Sequence, residues 1–424
     1  MYATVPVSLL IFSLPFLIGN KLQDIDYGSL PPDVITSRGF QYEIHYVKSE
    51  DGFFSAVHRI VNPKFPVTRS AVLLFHGQGG SSNNFLDSDD SGYIDEPENF
   101  VGCNIGFELA KKGHDVWLMD QRGTPFSSNH TYLTPAQKEY WDWSLDEIAL
   151  LDLPAAIDYI MALTGRAQVA YIGHSQATTV MLMLLSRIQK YNDIIKPCIL
   201  LAPVFYMSEV VMNRAIFTRY APLDMVEFLL KKMGGKLSNA LLTQVLKKIC
   251  KSKVASVSLC KPFGLLFLSY GSPVTTFTLP SIHYKRIPTY LSGSFFYSMS
   301  SRQAAHFMQI ARTNRPQMLD YWPSRNFELY GRTSAPLYDP TRITCKNMIF
   351  FSAVNDVLSH PKDVQQLREM LKVKLLYDQV IRDPKVGHIS FVFGDRQTIV
   401  PHVVKPLLKL MDTIYPPQNL LLLQ

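Results

Sequence analysis

The sequence predicts an α/β chain: a mostly parallel central sheet flanked by helices, with a large insertion before its last strands. Three observations carry this reading. Strand-like runs alternate with helix-like runs, the pattern of parallel strands joined by crossover helices. A short apolar run, Gln168 to Ile172, leads into Gly173-His174-Ser175-Gln176-Ala177 and then into a helix-like stretch, Thr178 to Arg187. A carboxylate and then a histidine follow, each just past a late strand-like run. A serine on a sharp strand-to-helix turn, followed in the chain by acid and histidine, is the order of an α/β-hydrolase.

Taken in order, the chain opens with an apolar run, Val5 to Gly19, broken by Pro6 and Pro15. It is too short to span a bilayer and has the length of a signal-peptide core, so residues 1–20 are read as a signal peptide. Residues 21–204 form the first part of the core. In it, Gln41 to Ile60 reads as an antiparallel entry turning at Glu50-Asp51-Gly52. Ala71 to Phe75 is a strand ending in His76-Gly77, Asn104 to Lys112 a helix, and Asp115 to Met119 the next strand. Ser144-Leu145-Asp146-Glu147 is a capping box opening a helix from Leu145 to Leu163. Cys198 to Leu201 is a strand. Residues 205–320 are read as a cap or lid insertion. Residues 321–424 complete the core, with strands Met348 to Ser352 and Lys374 to Val380 and a closing helix, Ile399 to Met411.

A chain of 424 residues, 47% hydrophobic and only 18% charged, has ample material for a core and is not disordered. The charge is uneven. Residues 205–302 hold thirteen Lys and Arg against three acids, while the whole chain is only +7. A basic, apolar cap suits contact with an anionic lipid surface such as a droplet, micelle or membrane. Secretory entry permits disulfides and glycosylation. Of five cysteines, Cys250 and Cys260 are paired by their proximity, Cys198 is read as a buried thiol, and Cys103 and Cys345 are unassigned. Asn129-His130-Thr131 is a glycosylation sequon.

A serine hydroxyl needs a base, and the base needs an orienting acid. The elbow Gly173 to Ala177 presents Ser175 as nucleophile. His388, in Val386-Gly387-His388-Ile389-Ser390, lies between the last strand and the last helix and is the base. Asp356 follows the strand Met348 to Ser352 and is the acid, in preference to Asp363, Asp378 and Asp383. Two backbone N–H groups must receive the developing oxyanion. They are assigned to Gln176, which follows the nucleophile, and to Gln78 in the glycine-rich loop after the first core strand. His76 is read as structural, holding this loop, and His174 as packed rather than chemical. No redox cofactor, nucleotide loop or zinc site is indicated, and no cofactor is assigned. The chemistry is two-step acyl transfer from an ester. The competing reading is a catalytically impaired lipid-binding or storage protein on the same scaffold.

One acidic segment stands apart. Asp87, Asp89, Ser91, Asp95 and Glu98 fall at EF-hand ligand positions, with Gly92 at the bend. Without a clear preceding helix, and with Pro97 inside it, the segment reads as a solvated loop, and no metal is assigned.

These residues resemble the acid lipase family, which includes gastric and lysosomal acid lipases. The likeness runs from about Asp33 to Leu410. It rests on Tyr42 to Gly52, on Asp115-Val116-Trp117-Leu118 with Arg122-Gly123, on Ser144 to Glu147 with Asp152 to Ala155, on Gly173-His174-Ser175-Gln176, and on Asn355-Asp356 and Gly387-His388. The resemblance implies a secreted or lysosomal lipase acting on acylglycerols or sterol esters, with a lid over the site. It also implies that Cys250–Cys260 is a cap disulfide. Three departures stand out: Ala177 where the family has glycine, Gln78 where it has leucine, and a more polar turn at Met119 to Gly123.

Overall fold

The computed structural model describes residues 30–65, 68–210, 223–237 and 299–417. Residues 1–20, read above as a signal peptide, and the expected Cys250–Cys260 pair lie outside the described residues.

The entry strands β1 (Gln41–Lys48) and β2 (Phe53–Val61) pair antiparallel, Gln41 opposite Val61. Strands β3 (Ala71–Phe75), β4 (Asp115–Met119), β6 (Val169–His174), β7 (Ile195–Leu201), β10 (Met348–Ala353) and β11 (Tyr377–Ile381) form the parallel body. The order is β1-β2-β4-β3-β6-β7-β10-β11, with the short β5 (Asn129–His130) added on β2. From β3 the chain moves first to β4 on one side and then to β6 on the other. The carboxyl ends of β3 and β6 therefore meet at the point where the winding reverses, the usual place for a site in such a sheet.

The parallel strands read as near-continuous apolar runs because both faces are covered. Their side chains alternate between two cores. Leu73, Phe75, Trp117, Tyr171, Leu200 and Phe350 face one side, with the elbow helix Gln176–Arg187 and the helix Leu153–Thr164. Val72, Leu74, Val116, Ile172, Ile199 and Phe351 face the other, with the helix Ile105–Lys111 and the C-terminal helix Lys405–Ile414. Each fully buried side chain of this size contributes about 1.5–3 kcal/mol.

Two helices differ from expectation in the same way. The helix begun by the Ser144 capping box passes through a π segment, Ile148–Asp152, before Leu153–Thr164. The closing helix begins at Arg396 and passes through a π segment, Val400–Val404, before Lys405–Ile414. Each π segment runs into a proline at the second position of the next helix, Pro154 and Pro406. A proline has no N–H for the carbonyl four residues back and its ring crowds that carbonyl, so the ladder slips by one residue. The last strand is also displaced, to Tyr377–Ile381. Leu375 is apolar because it packs against the core just before the strand begins.

Between β7 and β10 no described residue joins the main sheet. There β8 (Lys236–Leu237) and β9 (Met299–Ser300) make a two-stranded ribbon that leads into the helix Ser301–Thr313. The helix Leu223–Met233 is tied to it through Glu227, which accepts from Arg312 and Lys231 at 2.7 Å each.

Candidate active site

Ser175 sits at the join of β6 and the elbow helix with φ 56 and ψ −119, a conformation that non-glycine residues avoid. Two glycines make this turn possible. A Cβ on Gly173 would come within 2.7 Å of the Tyr171 ring and 3.1 Å of the Ala177 backbone. One on Gly77 would meet the Ser175 Cβ at 3.0 Å. The strained turn is held by Ser175 N–H donating to the Leu201 carbonyl at 3.0 Å.

The structure brings Ser175, His388 and Asp356 into one line. His388 Nε2 lies 2.7 Å from Ser175 Oγ, and its Nδ1 lies 2.8 and 2.9 Å from the two oxygens of Asp356. Asp356 is buried in the loop after β10, where its Oδ1 also accepts from the amides of Leu358 and Ser359 at 2.9 and 2.7 Å. Because Nδ1 faces a carboxylate, it carries the proton, and Nε2 is left as an acceptor toward the serine.

The rival carboxylates are occupied elsewhere. Asp363 accepts from Ser208 and Glu209 and fixes the chain after β7. Asp378 pairs with Arg368 at 2.8 Å, and Asp383 lies 3.5 Å from His402. Gln176 is the first residue of the elbow helix, where an N–H has no acceptor within the helix. Gln78 lies in the loop beside it, partly buried, its amide 3.1 Å from Met299 Sδ.

Sequence reasoning missed the supports behind these residues. His174 is buried and donates from Nε2 to the His388 carbonyl at 2.9 Å, so it anchors the histidine loop. Burial, with the neighbouring His388, pushes the His174 imidazole down to about 3. The polar turn at 119–123 also has a structural role. Asp120 is fully buried and accepts from Ser82 N–H at 2.6 Å and His58 Nε2 at 3.1 Å, pinning the loop after β3. Burial favours its neutral form, but the His58 hydrogen bond and charge outweigh this and lower its pKa.

The His174 shift has a consequence for stability. The unfolded histidine titrates near 6.5 while the folded one stays neutral to about 3. Between those values the unfolded chain binds one more proton, so stability falls as the pH drops. The slope is about 1.4 kcal/mol per pH unit. Urea unfolding at about pH 7, 5.5 and 4.5 measures it, and His174→Gln is expected to remove that increment.

The Ala177 methyl is buried in the core cluster, and the Ala177 carbonyl accepts from Tyr171 Oη at 2.8 Å. Ala177→Gly is expected to keep or raise ester turnover. It should cost about 1–2 kcal/mol of stability through lost helix propensity and a vacated methyl site. Parallel kinetics and urea unfolding check both parts.

The acidic loop is not gathered around a common point. Asp89 Oδ1 accepts from Ser91 N–H at 3.1 Å and Asn104 Nδ2 at 2.9 Å, and Asp95 pairs with Lys64 at 2.7 Å. Among the described residues no group of three or more His, Cys, Asp or Glu side chains is placed to hold a metal ion. Cys103, Cys198 and Cys345 are buried free thiols.

Comparison with known proteins agrees with this architecture. A family model described as the alpha/beta hydrolase fold matches residues 70–263, and one described as a partial alpha/beta-hydrolase lipase region matches residues 31–89. The chain is 30% identical over 370 residues to gastric triacylglycerol lipase of Bos taurus, covering 85% of this chain and 86% of that protein. It is 28% identical over 365 residues to lipase 1 of Drosophila melanogaster, covering 85% and 75%. Among solved structures, a soluble variant of monoglyceride lipase from Saccharomyces cerevisiae shares the fold at TM-score 0.50 and 14% identity, covering 88% of this chain and 97% of that one. On the sequence match across nearly the whole of a named relative, this chain belongs to the acid lipase family of the α/β-hydrolase superfamily.

Proposed function

We propose that the chain hydrolyses lipid esters, acylglycerols or sterol esters, through Ser175, His388 and Asp356. Membership of a family of lipases makes it a carboxylic ester hydrolase. The observation that carries the residue assignment is the unbroken line from Asp356 through His388 to Ser175 Oγ, at 2.8 and 2.7 Å.

In the first step Ser175 Oγ bonds to the ester carbonyl carbon and His388 Nε2 takes the serine proton. The oxyanion lies against the N–H groups of Gln78 and Gln176. The carbon–oxygen bond to the alcohol breaks, and His388 delivers the proton to the departing oxygen. In the second step water attacks the acyl-enzyme, giving its proton to His388. The acid leaves, and the proton returns to Ser175.

Residues 205–320 act as a lid that meets the lipid surface. On the helix Leu223–Met233, Met225, Phe228, Leu229 and Met233 are exposed, and Phe228 lies against the exposed Trp322 with ring centroids 5.9 Å apart. Lys231 and Lys232 lie over those two rings. Lys231 is paired with Glu227, but the exposed Lys232 beside these apolar side chains suits an anionic interface. The protein is assigned to the secretory route, as a secreted or lysosomal enzyme with Asn129 glycosylated. Asn129 is exposed on β5, and no helix of the described residues is long and apolar enough to cross a membrane.

A screen of acylglycerols, sterol esters and phospholipids with product identification, run beside Ser175→Ala, tests this. Fatty acid release by the parent alone is expected. Equal release by both would favour a lipid-binding or storage protein. Rates should rise when the substrate passes its solubility limit, reporting interfacial action by the lid.

A further inference from the structure

Three glutamine side chains meet behind the nucleophile. They are Gln121 after β4, Gln176 on the elbow and Gln303 on the helix Ser301–Thr313, and all are at most 3% exposed. Gln176 Nε2 donates to Gln121 Oε1. Gln303 Nε2 donates to Gln176 Oε1 at 2.5 Å and to Gln121 Oε1 at 3.2 Å, and Gln121 Nε2 donates to Gln303 Oε1 at 3.3 Å. Every amide both gives and receives, so the ring closes on itself. A closed ring of buried amides holds each member in one rotamer.

The ring does not stop at Gln176. The backbone N–H of Gln121 donates to His76 Nε2 at 3.1 Å, and His76 Nδ1 lies 2.7 Å from the Gly77 carbonyl. An amide N–H only donates and a carbonyl only accepts, so His76 is the neutral tautomer with its proton on Nδ1. Burial favours that neutral form. The Gly77 carbonyl and the Gln78 N–H belong to one planar peptide unit. Gripping the oxygen therefore sets the direction of the N–H. Gln121 is the common member: its side chain holds Gln176, and its backbone, through His76, holds the peptide of Gln78.

The geometry points to Gln121 and Gln303 as positioning residues that aim the two oxyanion donors and link them to the segment returning from the cap. This rests on the roles proposed above for Ser175, Gln78 and Gln176. The return segment holds both donors' side chains. Met299 Sδ receives the Gln78 amide at 3.1 Å, and Gln303 follows on the helix that Met299 and Ser300 lead into. Neither Gln121 nor Gln303 touches the reacting atoms in this scheme. Both act through Gln176 and the 76–78 loop.

The test uses Gln121→Met and Gln303→Met, which keep chain length and remove the amide. Turnover of a soluble short-chain ester is measured beside inhibition by an alkyl trifluoromethyl ketone. Ser175 Oγ adds to that ketone's carbonyl while His388 takes the proton, and the resulting oxyanion occupies the hole. Each variant is expected to lower kcat about 10- to 100-fold with KM changed less than about threefold, and to raise the ketone Ki by the same factor as kcat falls. A structural role alone would lower Tm without moving kcat and Ki together. Should Gln121→Met not fold, Gln303→Met carries the test from the far side of the ring. Variants that match the parent, or that lose kcat with the ketone Ki unmoved, overturn this inference alone. A parent that neither turns over esters nor binds the ketone overturns the proposed function and this inference with it.

Discussion

Ser175→Ala and His388→Ala will each lower kcat for ester hydrolysis by about a millionfold, and the double variant will be no slower than either single one. The two groups act as one unit, because the hydroxyl 2.7 Å from His388 Nε2 is useless without an acceptor for its proton. Asp356→Asn will lose less, about ten-thousandfold, and for a reason visible in the loop. Asp356 Oδ1 accepts from two backbone amides, Leu358 and Ser359. An asparagine will turn its carbonyl oxygen toward those donors and its NH2 toward the imidazole. The histidine must then accept at Nδ1 and carry its proton on Nε2, which leaves no lone pair for the serine. Single-turnover rates on a chromogenic ester, with fluorophosphonate labelling of Ser175, measure both effects. Losses that add across the double variant would show that the residues do not work together.

The second large effect concerns stability. Arg122 has no solvent exposure and is clamped on both sides. It donates to Asp152 from Nε and Nη2 at 2.6 and 2.5 Å, and to Asp51 from Nη1 and Nη2 at 2.6 and 3.0 Å, with its guanidinium 4.0 Å from the Phe53 ring centre. These contacts join the turn after β4, the β1–β2 turn and the end of the first π segment. Arg122→Met removes the cation and leaves the fully buried Asp152 carboxylate uncompensated. It is expected to cost about 3–5 kcal/mol, read as a lowered urea midpoint at unchanged m-value. Arg122→Lys will not restore it, since one ammonium cannot reproduce two bidentate contacts.

Much of this was legible in the chain. The apolar runs from Ala71 to Phe75 and from Met348 to Ser352 became strands because strands covered on both faces must be apolar throughout. The elbow was legible because a positive φ at Ser175 requires small neighbours, and the flanking Gly173 and Ala177 supply them; the close approach of Gly77 was not legible. That Asp356 and His388 would lie beside Ser175 was legible from chain order and from their places just past late strands. Of the supports, only His76 holding the loop after the first core strand was legible. Amide rings have no periodicity, and nothing in the spacing of Gln121, Gln176 and Gln303 announces that they meet. The unusual polarity of the 119–123 turn was the only signal. The π slips were hidden because a proline near a helix start normally marks a first turn, and only the preceding register shows that the helix had already begun.

The order of the strands in the sheet bears on the protein's synthesis. Ser175 directly follows the sixth strand, but His388, its proposed base, lies beyond the eleventh, 213 residues later. A ribosome adding about 5–20 residues per second therefore exposes the serine for on the order of ten seconds or more before the imidazole is made. On the roles proposed above, the growing polypeptide is inert toward esters throughout that interval, and any product released early stays inert. On the roles proposed for these residues, competence waits until the segment that carries His388 has been made.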